Sequence, residues 1–403
     1  MAALTKYQPF KGVYLLSAGL ATILVRLPLW FLLALPKNNR PRPSWSIMRT
    51  LVFRYLQYMY RSSVIPWTYG LTKEPNYLAL ETGRGIKGVW IPAAPNLIVG
   101  DVKEWAVATK VESIRIPGYW LEQKGTKLPI GAPPRPGEKV LLNIHGGAFA
   151  CQSAHPGDLI SAVPRGILQY SGPSVVRALC VEYRTSKRPE DGPPNPFPAA
   201  LLDVIAAFNY LVNDVGFAPE DVIVVGDSAG GNLAAGLARY LVENQGIAGL
   251  PSPPGALILC SPWVYLGPDP TEPTSSIYTN AATDFISGTN ARATQQAVTN
   301  YVGPHGQAAA LKNRYISPAS PDPEMHAVSF AGYPRTFILN AGAEILRDQI
   351  FTLAERMKAQ LGEKVTYFEV PDVWHDFLVV PLVGPERAET SKTIGKWIRE
   401  ETI

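Results

Sequence analysis

The sequence predicts an α/β protein built on a doubly wound, mostly parallel sheet. Three observations lead there. From about residue 110 onward, short apolar runs rich in Val, Ile and Leu alternate with amphipathic stretches of helical length. The apolar runs are continuous, the pattern of strands covered on both faces. Two of them lead into glycine-containing turns, HGGAF (145–149) and GDSAGG (226–231), and sheets of this kind bind ligands beyond the carboxyl ends of their strands.

Taken in order, the predicted strands are 111–116, 139–144, 175–183, 221–226, 255–260, 336–340 and 364–370. The predicted helices are 199–213, 229–243, 347–361 and 386–400. Residues 264–335 break the alternation. They are rich in Pro, Ser, Thr and Asn and offer at most a couple of short helices. They read as an insertion that covers the site together with residues 40–108. The expected organisation is therefore a membrane anchor over 1–36, a basic amphipathic segment and N-terminal cap over 37–109, and the α/β unit over 110–403, with a cap insertion at about 264–335.

With 46% apolar and 17% charged residues among 403, the chain has material for a sizeable core. Its net charge of +4 is unevenly spread. Residues 1–73 carry ten Lys or Arg and no Asp or Glu, leaving 27 basic and 33 acidic residues in the remainder, a net of −6. Such asymmetry suggests a membrane or a nucleic-acid contact. The stretch Val13 to Leu35 favours lipid: it is long enough to cross a bilayer. Arg26 and Pro28 interrupt it, so a kinked span and an interfacial hairpin both fit. Next, Met48, Leu51, Val52, Tyr55 and Met59 fall at helical spacing with Arg49, Arg54 and Arg61 between them. That suits a helix in the headgroup region, or a cap helix packed on the rest of the chain. The expected partners are membrane lipid and a hydrophobic substrate; nucleic acid is not expected. Cys180 and Cys260 sit in apolar, strand-like runs, and with Cys151 they form no disulfide framework.

The chemistry lies at the turns. An apolar strand runs into Gly226-Asp227-Ser228-Ala229-Gly230 and then a helix, and a sharp strand-to-helix turn lifts a serine Oγ clear of the sheet. A serine hydroxyl is a weak nucleophile and needs a base, normally a histidine oriented by a carboxylate. Of five histidines, His375 follows the last apolar strand directly, where this kind of sheet delivers its base. The acid is expected at the end of the preceding strand, where Glu344 follows Asn340-Ala341-Gly342-Ala343 and Asp348 lies four residues on. The catalytic set read here is Ser228 and His375 with either Glu344 or Asp348 as the acid. Donors for an oxyanion are expected from the N–H groups of Gly146, Gly147 and Ala229, the glycines allowing backbone to approach a substrate carbonyl. His145 is expected to brace its loop. GRGIKG (83–88) spells a nucleotide fingerprint but no helix follows it, and no His or Cys pair has metal-ligand spacing, so neither cofactor nor metal is expected.

In order along the chain, HGGAF (145–149), VEYR (181–184), FPAALLD (197–203), GDSAGGNLA (226–234), SPW (261–263), NAGAEILRD (340–348) and WHDF (374–377) resemble the hormone-sensitive-lipase branch of the α/β-hydrolases. The resemblance covers about residues 110–400. An N-terminal apolar segment ahead of that core is similar to arylacetamide deacetylase and the fungal steryl acetyl hydrolases. The resemblance implies a serine ester hydrolase acting on short acyl esters of hydrophobic molecules such as sterols, terpenoids or aromatic esters, with a cap over the site. Three features depart from the family pattern: Ala148 replaces a third glycine, Glu344 replaces the usual aspartate, and TSKRPEDGPP follows VEYR. An acyltransferase using the same acyl-enzyme is the enzymatic alternative. A small-molecule receptor is the alternative of another class, as in the gibberellin receptors, which lack the catalytic histidine present here as His375. The resemblance also implies a single-pass protein of the endoplasmic reticulum membrane with a lumenal catalytic domain. Flanking charge points instead to the cytosol, with Lys37, Arg40, Arg42 and Arg49 after the span against Lys6 and Lys11 before it.

Overall fold

The computed structural model describes residues 9–61, 73–286, 291–380 and 382–400. Among them, eight strands form one sheet: β1 (Lys87–Ile91), β2 (Ile116–Glu122), β3 (Lys139–Ile144), β4 (Val175–Val181), β5 (Val222–Asp227), β6 (Ala256–Cys260), β7 (Arg335–Ala341) and β8 (Val365–Val370). Their order is β1-β2-β4-β3-β5-β6-β7-β8. β2 pairs antiparallel with β1 and β4, and every other pairing is parallel. The five strands expected between 139 and 340 are present, and the last spans 365–370. The strand expected at 111–116 instead runs 116–122, and β1, from the stretch read as cap, adds an edge. Pro117 and Gly118 disguise β2 as a loop. Antiparallel pairing near an edge accommodates them, Pro117 sitting opposite Trp90.

The period of two inside each strand divides the core. Val140, Leu142, Ile144, Val222, Val224, Leu257 and Leu259 face one layer, where α6 (Ala199–Asn209), α7 (Ala229–Glu243) and α12 (Arg347–Leu361) pack. Leu141, Ile223, Val225, Ala256 and Ile258 face the other, against α5 (Ala162–Tyr170) and α13 (Pro385–Arg399). Helix α4 (Gly100–Thr109) joins the first layer. Among its described residues the insertion holds four short α-helices, more than the couple expected: α8 (Ser276–Thr279), α9 (Ala291–Val302), α10 (Gly306–Lys312) and α11 (Pro323–His326). Tyr301 of α9 stacks on Phe149 at 3.7 Å between ring centroids, which brings the insertion over the ends of β3 and β5.

At the N-terminus α1 (Phe10–Ala21), a π-helical turn (Thr22–Arg26) and α2 (Leu27–Ala34) run on as one helix. Its segment Gly12–Ala34 is 23 residues long and apolar enough to cross a membrane. Pro28 has no N–H to give, and its ring would meet the carbonyl four residues back; the wider π turn lies just before it, so the helix continues. Arg26 folds back onto Thr22 Oγ1 (3.1 Å) and the Ala18 carbonyl (3.3 Å), with its guanidinium 4.3 Å from the Tyr58 ring centre. Tyr58 belongs to α3 (Ile47–Arg61), whose other face lies on the catalytic unit. There Trp45 and Phe53 are fully buried against Trp374, with ring centroids 5.2 and 5.6 Å away. Arg49 pairs with Glu386 at 2.7 Å, and Arg42 with Asp372 at 2.8 Å. Of residues 45–67, read either as a headgroup helix or as a packed cap helix, 62–67 lie outside the described residues, and α3 packs one face on the rest of the chain. The ion pairs also weaken the flanking-charge argument, since two of the four cations after the span are paired with acids of the catalytic unit.

Trp45→Ala is expected to lower the unfolding free energy by about 3–5 kcal/mol through loss of a buried indole. Met48→Ala, on the exposed side of α3, should leave it nearly unchanged. Denaturant midpoints of the two variants check that Trp45, just ahead of α3, is buried against Trp374 while Met48 is not.

Candidate active site

Ser228 occupies the turn between β5 and α7 with φ +50° and ψ −118°, a conformation few non-glycine residues adopt. Neighbouring strands over-determine it. The Ser228 N–H donates to the Cys260 carbonyl at the end of β6 (2.9 Å), and its carbonyl accepts from Trp263 (2.9 Å). Gly230 is glycine for closeness: a Cβ there would stand 2.0 Å from the Ile144 carbonyl oxygen. The turn is thereby pressed against the end of β3.

His375 follows β8, and its Nε2 lies 3.0 Å from Ser228 Oγ. Its Nδ1 lies 2.7 Å from Glu344 Oε2. The other oxygen of Glu344 accepts from Ala341 N (2.7 Å) and Ser261 Oγ (3.0 Å). Ser228, His375 and Glu344 are all buried, Glu344 completely. Burial raises the Glu344 carboxyl, against the pull of His375. Burial also pulls the His375 imidazole down, but the adjoining Asp376 and Glu344 carboxylates overcome this and hold it well above its usual value. Asp348, the other acid considered, is elsewhere: its Oδ2 accepts from the Ser276 N–H at 2.7 Å, at the start of α8.

The oxyanion donors differ from expectation. Gly146 donates its N–H to Asp227 Oδ2 at 2.9 Å and is not free for a substrate. A Cβ at 146 would stand 2.4 Å from that same oxygen, so this glycine admits the buried aspartate. The amides of Gly147, Ala148 and Ala229 find no acceptor among the described residues. Of the three expected donors Gly146 is thus engaged elsewhere, while the open amides around Ser228 belong to Gly147, Ala148 and Ala229. Ala148 takes φ +54° and Phe149 φ +59°, so the loop keeps a left-handed course without a third glycine. His145 braces this loop as expected. It is fully buried, stacks on Tyr183 at 4.3 Å, and has Nδ1 2.8 Å from the Gly146 carbonyl. Burial lowers its pKa to about 4 and keeps it neutral.

Several residues at the site carried no sequence signal. Arg42 donates to Asp372 Oδ1 (2.8 Å) and to the Gly342 carbonyl (3.4 Å), so one guanidinium bridges the loops that bear His375 and Glu344. Trp45 Nε1 adds a bond to the Asp372 carbonyl (2.8 Å). From the insertion, Asn280 donates to the Glu344 carbonyl (2.9 Å) and Asp284 accepts from Ile345 N (2.8 Å). A polar cavity of about 250 Å³ between Arg42, Ser276, Arg347 and Asp372 lies behind the acid loop, away from Ser228. Among the described residues no cluster of His, Cys, Asp or Glu could hold a metal ion.

A family model described as the alpha/beta hydrolase fold matches residues 141–379, more than half of the chain. The chain belongs to the α/β-hydrolase family. Esterase LipU of Mycobacterium tuberculosis is 27% identical over 332 residues, which span 78% of this chain and 97% of that protein. An acetyl-hydrolase of Streptomyces hygroscopicus is 29% identical over 275 residues, 67% of this chain and 78% of its own length. A crystal structure of a hormone-sensitive lipase from a metagenome library superposes with a TM-score of 0.53 at 28% identity, covering 70% of this chain and 82% of that one. A bacterial esterase of the hormone-sensitive lipase family gives 0.59 at 22% identity over 89% and 99%, a likeness of fold. The resemblance read from the motifs agrees with these findings, and this α/β-hydrolase is a serine ester hydrolase.

The two carboxylates separate by experiment. Glu344→Gln is expected to cut kcat by about three to four orders of magnitude, as losing the orienting acid does in other triads. Asp348→Asn should change it little. Steady-state kinetics on a soluble ester decide, and the opposite ranking would assign the acid to Asp348.

Proposed function

We propose that the protein hydrolyses short acyl esters of hydrophobic alcohols, sterol, terpenoid or aromatic, through Ser228, His375 and Glu344. The observation that carries this reading is the unbroken contact from Ser228 Oγ to His375 Nε2 (3.0 Å) and from Nδ1 to Glu344 Oε2 (2.7 Å) in a buried site. His375 takes the serine proton at Nε2 as Oγ attacks the carbonyl carbon, and Glu344 holds the ring and offsets its charge. The N–H groups of Gly147, Ala148 and Ala229 receive the oxyanion, the last aided by the positive end of α7. The proton passes to the departing alcohol, leaving an acyl-serine. Water, deprotonated by the same nitrogen, then releases the acid. A similarity to an acetyl-hydrolase supports a short acyl group.

The apolar helix Gly12–Ala34 serves in this reading as a membrane anchor. The described part of the insertion at 264–335 serves as the cap, while the described part of residues 37–109 braces the α/β unit, with α4 in its core and β1 at its edge. Such an arrangement suits substrates that partition into lipid.

Ser228→Ala should abolish ester hydrolysis and labelling by a fluorophosphonate while keeping the unfolding midpoint. Labelling that persists in the variant would overturn the mechanism. A panel from acetyl to long-chain esters on aromatic, sterol and terpenoid alcohols should show turnover falling as the acyl chain lengthens.

Deleting residues 1–36 should move the protein from the membrane pellet to the soluble fraction and preserve hydrolysis of a soluble ester. Release of the full-length protein by carbonate would refute the anchor.

A further inference from the structure

The residue after His375 turns back upon it. Asp376 adopts φ +49°, and its Oδ2 lies 3.1 Å from His375 Nε2, the nitrogen that also faces Ser228 Oγ. Its Oδ1 is buried and has no hydrogen-bond partner among the described residues. The mechanism above uses one carboxylate, at Nδ1, and leaves this second one at Nε2 unexplained.

We propose that Asp376 holds His375 of the substrate-free enzyme as an imidazolium between two carboxylates, and that substrate must displace it from Nε2 before the histidine can act as base. This inference rests on the reading of His375 as the catalytic base.

A neutral ring that gives its single N–H to Glu344 presents a lone pair at Nε2. A lone pair facing a carboxylate oxygen at 3.1 Å is repulsive, whereas a proton between them makes a charge-assisted hydrogen bond. That proton must leave before Nε2 can accept one from Ser228.

The groups around the ring reinforce the state. From its own loop comes Asp376, from the turn after β7 Glu344, from the end of β5 Asp227, and from the insertion Asp284. Beyond these carboxylates stand Tyr60 of α3, Cys260 of β6 and Cys151 of the glycine loop. Burial, joined by the Asp376 charge, raises Asp227 well above the usual carboxylate range, and burial lifts Asp284 to about 7. Burial likewise raises the Tyr60 hydroxyl and the thiol of Cys260, and pushes the Cys151 thiol up to about 12. The two carboxylates that touch the imidazole are those of Glu344, at Nδ1, and Asp376, at Nε2.

A raised imidazole pKa delays the appearance of the neutral base as pH rises. The test follows the rate of fluorophosphonate labelling of Ser228, and the kcat/KM and kcat of a soluble ester, against pH. In Asp376→Asn the acid limb of labelling and of kcat/KM, which report the free enzyme, should fall by about one to two units. The limb of kcat, which reports the complex, should move much less. Asp376→Glu should keep the wild-type limb. In the wild type itself, the kcat/KM limb should lie at higher pH than the kcat limb. The reverse order overturns the proposal without any variant, as does an unshifted labelling limb in folded Asp376→Asn. A wild type that never labels would overturn the triad reading, and this inference with it.

Discussion

The buried carboxylate of Glu344 is the contact on which the site turns. It takes hydrogen bonds from Ala341 at the end of β7 and from Ser261 just past β6, and it faces His375 beyond β8. A fully desolvated carboxylate is costly unless its lone pairs are engaged, and here three donors from three strand ends engage them. Parallel neighbours lie about 4.8 Å apart, so adjacent strands bring such donors to one edge without a long loop. The insertion adds to this: Asn280 and Thr283 bond the carbonyls of Glu344 and Ala343, so the segment between β6 and β7 also fixes the loop of Glu344.

The N-terminal arm has a second role besides carrying an apolar helix. Arg42 bonds both the acid loop and the base loop, and Trp45 with Phe53 packs on Trp374, the residue next to His375. Residues more than 300 positions from the base therefore form part of the floor that supports it.

Much of this was legible in the sequence. Strands covered on both faces leave continuous apolar runs, and β3, β5, β6 and β7 were found from those alone. Ser228, Glu344 and His375 meet because the order of the motifs follows the order of the strands. Reasoning fell short where a residue's role depends on a distant partner. In the sequence Arg42 and Arg49 stand only as cations after the apolar span, yet their partners Asp372 and Glu386 lie across the chain. In the sequence a glycine marks a donor amide, but Gly146 is small to admit Asp227, and the amide of Ala148 is open although that residue bears a methyl group. Helix α5 escaped notice because Pro164 and Gly166 interrupt its pattern; a proline in the first turn is tolerated.

Seven residues, 35 to 41, join the end of α2 to Arg42. Fully extended they would reach only about 25 Å. They are not extended, because Arg40 doubles back to the Ala34 carbonyl (2.8 Å) and to that of Trp45 (2.7 Å). Trp30 and Arg26 lean on Tyr58 of α3, and α3 lies on the catalytic unit. The apolar helix is therefore splinted to the hydrolase rather than hung from it. Any surface that fixes the tilt of that helix also fixes the heading of the enzyme's mouth, so capture of substrate becomes a matter of bearing as well as of nearness.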